Sequence, residues 1–334
     1  MRYFKLNYKQ LLMPTVFLTI VGIGMYLFPL IFENNINNLS RLNTNLTSLS
    51  IFLIGACLLI PIYEFSPLKN KRGADMYYGL PLTKTKLYLK LYLKGLAEVL
   101  LAFTIIYVFG VLIVVLRGFP FTVIYYIPLY FLLLIGTGSY YSFNVFLFIK
   151  ANRTIDGILF MGLYMIMPMF LVYSVTYLFE ITSFVWANSS FVPFSPITYT
   201  VRVFEGYLIN KPILAFSLEN DVFRVISTLC WLCINIGLGA LGIFYTKHEK
   251  PENIQQNSDT WIGYKTLIPT LVFTLLIGMN VSFKSNYTYT YGILVLLAGY
   301  IGYVIYERTF KVRWIYLVLI TGLALLAFTV GTLF

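Results

Sequence analysis

The sequence is poor in histidine, cysteine and charge. Charged residues occupy 11% of its 334 positions, against the quarter or so of an ordinary soluble domain, so most of the chain cannot present a solvated surface. The single histidine, His248, stands beside a polar stretch and away from the apolar runs. An intramembrane metalloprotease or acyltransferase needs histidines and acids together in its spans to hold a metal or act as base. The three cysteines, Cys57, Cys230 and Cys233, fall inside apolar segments, where a thiol reads as a small packing group rather than a disulfide half or metal ligand. No G-x-x-x-x-G-K-[ST] occurs anywhere, so the chain has no P-loop to cradle nucleotide phosphates. The spans also lack the several midplane ionisable groups that an ion-coupled secondary transporter typically carries, which leaves that class only backbone carbonyls for binding ions.

What remains is apolar: 59% hydrophobic and 18% aromatic. Long apolar runs, without the alternation of a β-barrel, predict an all-α, polytopic membrane protein, because hydrocarbon leaves no partner for backbone polar groups outside a helix. Runs bounded by charge fall at 11–32, 48–65, 96–116, 122–149, 157–179 and 225–246, with three more at 266–283, 289–306 and 314–334. The first, followed by so many others, reads as a retained span and not a cleaved leader. With the N-terminus inside, 18 of the 24 Lys and Arg lie in inner segments and six lie outside. This bias predicts a cytoplasmic N-terminus, because Lys and Arg in short loops resist translocation. The formal charge of +11 is therefore read as membrane-surface charge, with no nucleic-acid partner expected.

Two connections are long. The outer one, 180–224, contains FVPFSPITYTVRVFEGYL, too apolar for a solvated loop; short re-entrant helices and an ordered lid both fit it. The inner one holds RGADMYYGLPLTKTKLYLKLYLKG, residues 72–95. Pro81 suits the first turn of a new helix and forbids the middle of an old one, so the chain is expected to change direction there. After it, Lys86, Lys90 and Lys94 recur every four residues, predicting a helix whose lysines snorkel to headgroups while Leu87, Tyr88, Leu91 and Tyr92 enter the membrane. Before it, Asp75, Tyr77 and Tyr78 are expected to form a protruding turn. Glu98, one turn inside the third span, is placed to pair with Lys94 at i,i+4. Small residues in the fourth and sixth spans, among them Gly136, Gly138, Gly237 and Gly239, read as helix-packing positions.

The run FSPLKNKRGADMYYGLPLTKTKLYLKLYLKG, residues 65–95, resembles the loop between spans two and three of ABC-2 type transporter permeases from Gram-positive bacteria. It has an acid at the end of span two (Glu64), a basic turn, an Asp-aromatic-aromatic segment, the Leu80-Pro81 pair and a basic entry into span three. Gly79 and Lys84 stand where that family usually has Ser and Arg. The resemblance implies a six-span permease core over 1–250, with an N-terminal interfacial helix, a coupling helix at about 73–82 and outer re-entrant helices in 180–224. A linker and three further spans follow over 251–334. It also implies that Asp75, Met76, Tyr77, Tyr78, Gly79, Leu80 and Pro81 dock on a separate ABC ATPase, present in two copies. A second permease subunit, identical or different, and membrane lipids complete the expected partners. This chain binds no cofactor and is no enzyme in that reading; ATP and Mg sit in the partner ATPase. The implied role is export of lipophilic or amphipathic compounds, such as antimicrobial or toxin-like peptides, across a bacterial cell membrane. The alternatives are a polytopic sensor or assembly partner without transport, and a secondary transporter.

Overall fold

The computed structural model describes residues 8–32, 39–79, 81–117, 123–178, 229, 232–233, 236–246, 254–256, 258, 260, 262–282 and 288–333. The expected outer re-entrant segment, Leu80, His248, Cys230 and most of the expected interfacial helix lie outside them. Among the described residues every regular element is a helix. Four stretches, Leu12–Phe32, Ser48–Lys69, Lys84–Leu116 and Leu129–Lys150, are long and apolar enough to cross a membrane. This is the build of a membrane-embedded protein.

The chain groups into two compact units. In the first, α1 (Tyr8–Gly22) runs through a single π turn at Ile23–Leu27 into α2 (Phe28–Phe32). The turn has a local cause. Pro29 brings no N–H and its ring crowds the carbonyl four residues back, and the i+5 bond from Phe28 N to Ile23 O just ahead of it widens the register. Helix α3 (Leu39–Phe65) carries Pro61 and ends in a 3-10 turn at Ser66–Lys69, after which the short α4 (Lys71–Tyr78) precedes α5 (Lys84–Leu116). A helix of 33 residues is about 50 Å long, against about 30 Å of hydrocarbon, so one or both ends of α5 extend past the core of the bilayer. Helix α6 (Val123–Lys150) and the apolar stretch α8 (Ile236–Thr246) complete the described helices of this unit.

The second unit takes Lys150–Phe194 together with Gln255–Phe334. Its helices are α7 (Thr154–Leu178), α9 (Tyr264–Ser282), α10 (Thr288–Glu307) and α11 (Trp314–Leu333). Phe160 of α7 joins Tyr264, Leu267, Val272 and Leu276 of α9, Tyr303 of α10 and Ile320 of α11 in one buried cluster. The fifth apolar run therefore shares a core with the last three, a grouping that cuts across a division of the chain at residue 250.

Candidate functional site

The loop between α3 and α5 folds as a helix laid back on the 3-10 turn and not as a free turn. Helix α4 separates two faces at helical spacing: Arg72, Asp75, Met76 and Gly79 are exposed, whereas Ala74 is buried and Tyr77 and Tyr78 are half-buried. Of the expected protruding trio only Asp75 faces outward; the tyrosines turn inward because the i+3 and i+4 positions from Ala74 share its stripe. Met76, 66% exposed, is the large apolar side chain on the outer face. The helix is also shorter than the expected 73–82. It is capped at Gly79, whose N–H reaches Asp75 O at 3.0 Å, and Pro81 sits in the bend beyond it. The next helix begins at Lys84, where Thr83 acts as N-cap and accepts from Lys86 N at 3.4 Å.

Three contacts hold this loop in place. A Cβ on Gly73 would overlap the Pro67 carbonyl, so only glycine lets α4 fold back onto the 3-10 turn. Lys84 Nζ lies 5.7 Å from the centre of the Tyr78 ring, tying the end of α4 to the start of α5. Lys69, buried at the base of the loop, donates from Nζ to Ile149 O at 2.8 Å. That carbonyl belongs to the last turn of α6, the negative end of its dipole, which suits an ammonium. Behind this loop, Phe65, Lys69, Tyr78, Lys84, Tyr88 and Ile149 are among the residues lining a cavity of about 20 Å³, room for about one water and no ligand.

The lysine ladder divides along its length. Lys86 is exposed and Lys90 half-buried, but Lys94 turns into the protein. Its Nζ donates to Glu64 Oε1 at 2.7 Å and stands 3.6 Å from Glu98 Oε1. The i,i+4 pair expected from sequence is present, yet the tighter partner is Glu64 on α3, thirty residues back. Glu98 is fully buried, and among the described residues neither carboxylate oxygen makes a hydrogen bond. The other expected membrane-facing residues also turn inward. Leu87, Tyr88 and Leu91 are buried in protein, and Tyr88 packs its ring between Phe65 and Tyr92 at 5.8 and 5.9 Å. Beside Lys94, Gly95 leaves the space that Tyr141 Oη of α6 occupies; a Cβ there would overlap it and come within 2.9 Å of Ile60 Cγ2. Tyr92 Oη shares a hydrogen bond with Ser142 Oγ at 2.6 Å. A band of polar groups thus joins α3, α5 and α6 just inside the loop.

The second unit holds a polar node that composition and spacing did not mark. Asp156, in the first turn of α7, accepts from Ser258 Oγ at 2.7 Å and Tyr264 Oη at 2.8 Å. Ser258 Oγ accepts from Asn152 N at 2.9 Å, and Arg153 donates from Nε to Gln255 O at 2.8 Å and also from Nη2. Gln255 takes a left-handed conformation, φ 68°, that turns its carbonyl to this arginine. The carboxylate lies at the positive end of the α7 dipole with two donors, so its role is satisfied by structure alone.

No family model matches the chain, and neither a curated protein nor a solved structure matches it. Among the described residues no three His, Cys, Asp or Glu side chains come together as a metal site would require. The loop presents one acid, one methionine and flanking Lys71 and Arg72 on a short helix folded back onto the 3-10 turn at Ser66–Lys69.

Proposed function

We propose that the chain is the permease subunit of an ATP-binding-cassette transporter of the ABC-2 type, and that α4 is the element that meets its ATPase. The reading is supported by one observation above the others: a short two-faced helix, braced at both ends, lies between two helices long enough to cross a membrane. Surface loops of a passive membrane protein have no need of such bracing, whereas a helix that transmits a push must not yield. In this reading Asp75 and Met76 enter a groove of the ATPase, with Arg72 and Gly79 at the edge and Tyr77 and Tyr78 holding the helix from beneath. Leu80 and Pro81 complete the contact segment. The push passes through the Pro67 and Lys84 contacts into α3 and α5, which the Lys94–Glu64 pair holds together, so that the two move as one body.

The wider assignment rests on the same resemblance. It comprises six core spans plus three, a cytoplasmic N-terminus, a second permease subunit, two ATPase copies carrying ATP and Mg, and location in a bacterial cell membrane. The cargo is assigned as lipophilic or amphipathic, as the aromatic-rich spans suit, and its export as peptides of antimicrobial type follows the family analogy.

The test is co-purification of the full chain with a P-loop ATPase encoded beside it, comparing wild type with the double variant Asp75→Arg, Met76→Glu. Both residues are exposed and neither braces α4, so the variant keeps its fold. Loss of at least about tenfold in ATPase retention is expected, the scale of one or two contact residues at the centre of an interface. Undiminished retention together with undiminished ATPase stimulation overturns the assignment and leaves the sensor or assembly role.

A further inference from the structure

The second unit carries a cavity that the proposed function does not use. It has a volume of about 410 Å³ and is lined by Lys265, Tyr306, Glu307, Thr309, Lys311, Arg313 and Tyr316. It lies where the start of α9 and the turn between α10 and α11 meet. A single water needs about 10–15 Å³ of such space, so this is room for a polar group of many atoms. Three cations and one carboxylate are among the residues that line it. Glu307 Oε1 and Arg313 Nε are 3.2 Å apart, but the arginine side chain is 74% exposed, so the pair is screened by water and binds its partners weakly. It engages one of the five N–H donors of the guanidinium. Lys311 Nζ makes no hydrogen bond or ion pair among the described residues.

The turn itself is shaped to hold these cations over the cavity. Arg308 adopts a left-handed conformation, φ 55°, which ends α10 and reverses the chain. Tyr300 Oη donates to Phe310 O at 2.8 Å and fixes the turn. Tyr303 and Tyr316 stack at 4.4 Å and set the spacing of α10 and α11 beneath it. On the outside of the turn Phe310 is 87% and Trp314 71% exposed. Large aromatic rings left bare at helix ends, next to cations, are the arrangement of a segment seated at the level of lipid headgroups.

We infer that this cavity binds the phosphate of an anionic phospholipid headgroup, with Lys311 and Arg313 as its principal donors, Lys265 supplying further positive charge, and Phe310 and Trp314 seated beside it at the level of the headgroups. A lipid phosphate is favoured over a free one because the aromatic pair would gain nothing from an aqueous anion.

The experiment uses the full chain in detergent, titrated with phosphatidylglycerol, phosphatidylcholine or inorganic phosphate, with native mass spectrometry reading retained lipid and thermal unfolding reading stabilisation. Phosphatidylglycerol is expected to bind and stabilise, and phosphatidylcholine to do neither. Lys311→Gln with Arg313→Gln should weaken phosphatidylglycerol binding by about 25-fold, about fivefold for each cation removed. A second double variant, Lys71→Gln with Arg72→Gln, removes the same charge from exposed positions of the first unit and should leave binding within about twofold. Equal weakening in both variants would mean diffuse surface charge, and stabilisation by inorganic phosphate alone would mean a soluble anion; either result overturns the lipid site. If the cavity double variant loses helicity, Lys311→Gln alone, at an exposed and unpaired position, gives the same comparison at fivefold.

Discussion

Glu64 and Glu98 flank one lysine, and their environments predict different costs of removal. Lys94 makes its hydrogen bond to Glu64 at 2.7 Å, while Glu98 lies at 3.6 Å with no hydrogen bond among the described residues. Deleting the shared cation strands two buried acids. Lys94→Met is expected to destabilise the protein by about 3–5 kcal/mol, the usual cost of leaving a buried charge unpaired. Glu98→Gln removes a carboxylate that gives Lys94 only a distant second partner, and should change stability by less than about 1 kcal/mol or raise it. Unfolding in detergent, followed by helicity for both variants, checks the order; a loss for Glu98→Gln as large as that for Lys94→Met would show that Glu98 is a full partner of the lysine. Sequence spacing exposed only half of this cluster. The Lys94–Glu98 pair is visible because helical neighbours four apart must meet, but the Lys94–Glu64 contact depends on how α3 packs beside α5, which no local pattern encodes.

At the scale of the element, α4 differs from its sequence expectation in extent and in facing. Pro81 predicted a change of direction before the third span, and the structure places it in the bend between α4 and α5. The length and facing of α4 depended on tertiary contacts: the cap at Gly79, the stripe of Ala74, Tyr77 and Tyr78 turned inward, and the fold-back onto Pro67. That last contact gives a sharp test. A Cβ at residue 73 would overlap a backbone carbonyl, which cannot rotate away as a side chain can. Gly73→Ala is therefore expected to shift α4 off the 3-10 turn at about 1–3 kcal/mol, the range for an overpacked contact. Amide hydrogen exchange should quicken across Ser66–Tyr78 while α5 and α6 keep their protection, and ATPase stimulation should fall with binding still detectable. Unchanged exchange in this segment would mean that α4 is not braced through Gly73. Asp156 is the opposite case, an element-level anchor the sequence hid. Its partners Ser258 and Tyr264 lie about a hundred residues away, in a polar stretch whose composition reads as linker.

For the whole molecule, the helical and apolar character of the chain was legible because it answers to the bilayer, a solvent that acts on every residue alike, and four of its helices are long and apolar enough to cross one. The grouping of helices was not legible in the same way, since which apolar faces meet is decided by shape; Phe160 of the fifth run packs on Tyr264 at 5.1 Å between ring centres. Orientation remains a matter of charge, and it can be tested apart from every other proposal. In a background free of Cys57, Cys230 and Cys233, single cysteines at Lys71 and Phe310, both exposed, should react with an impermeant maleimide only after the membrane is opened. One at Arg117, past the last turn of α5, should react in intact cells. The eighteen cations expected inside against six expected outside predict this direction, because moving a cluster such as Lys69, Lys71 and Arg72 across the bilayer during insertion is far costlier than leaving it inside. Labelling of Lys71→Cys from outside would invert the topology and place α4 where no cytoplasmic ATPase could reach it. Labelling of Phe310→Cys alone from outside would leave α4 as proposed and change only the number of spans after residue 250. The two positions therefore separate the coupling proposal from the count of C-terminal helices.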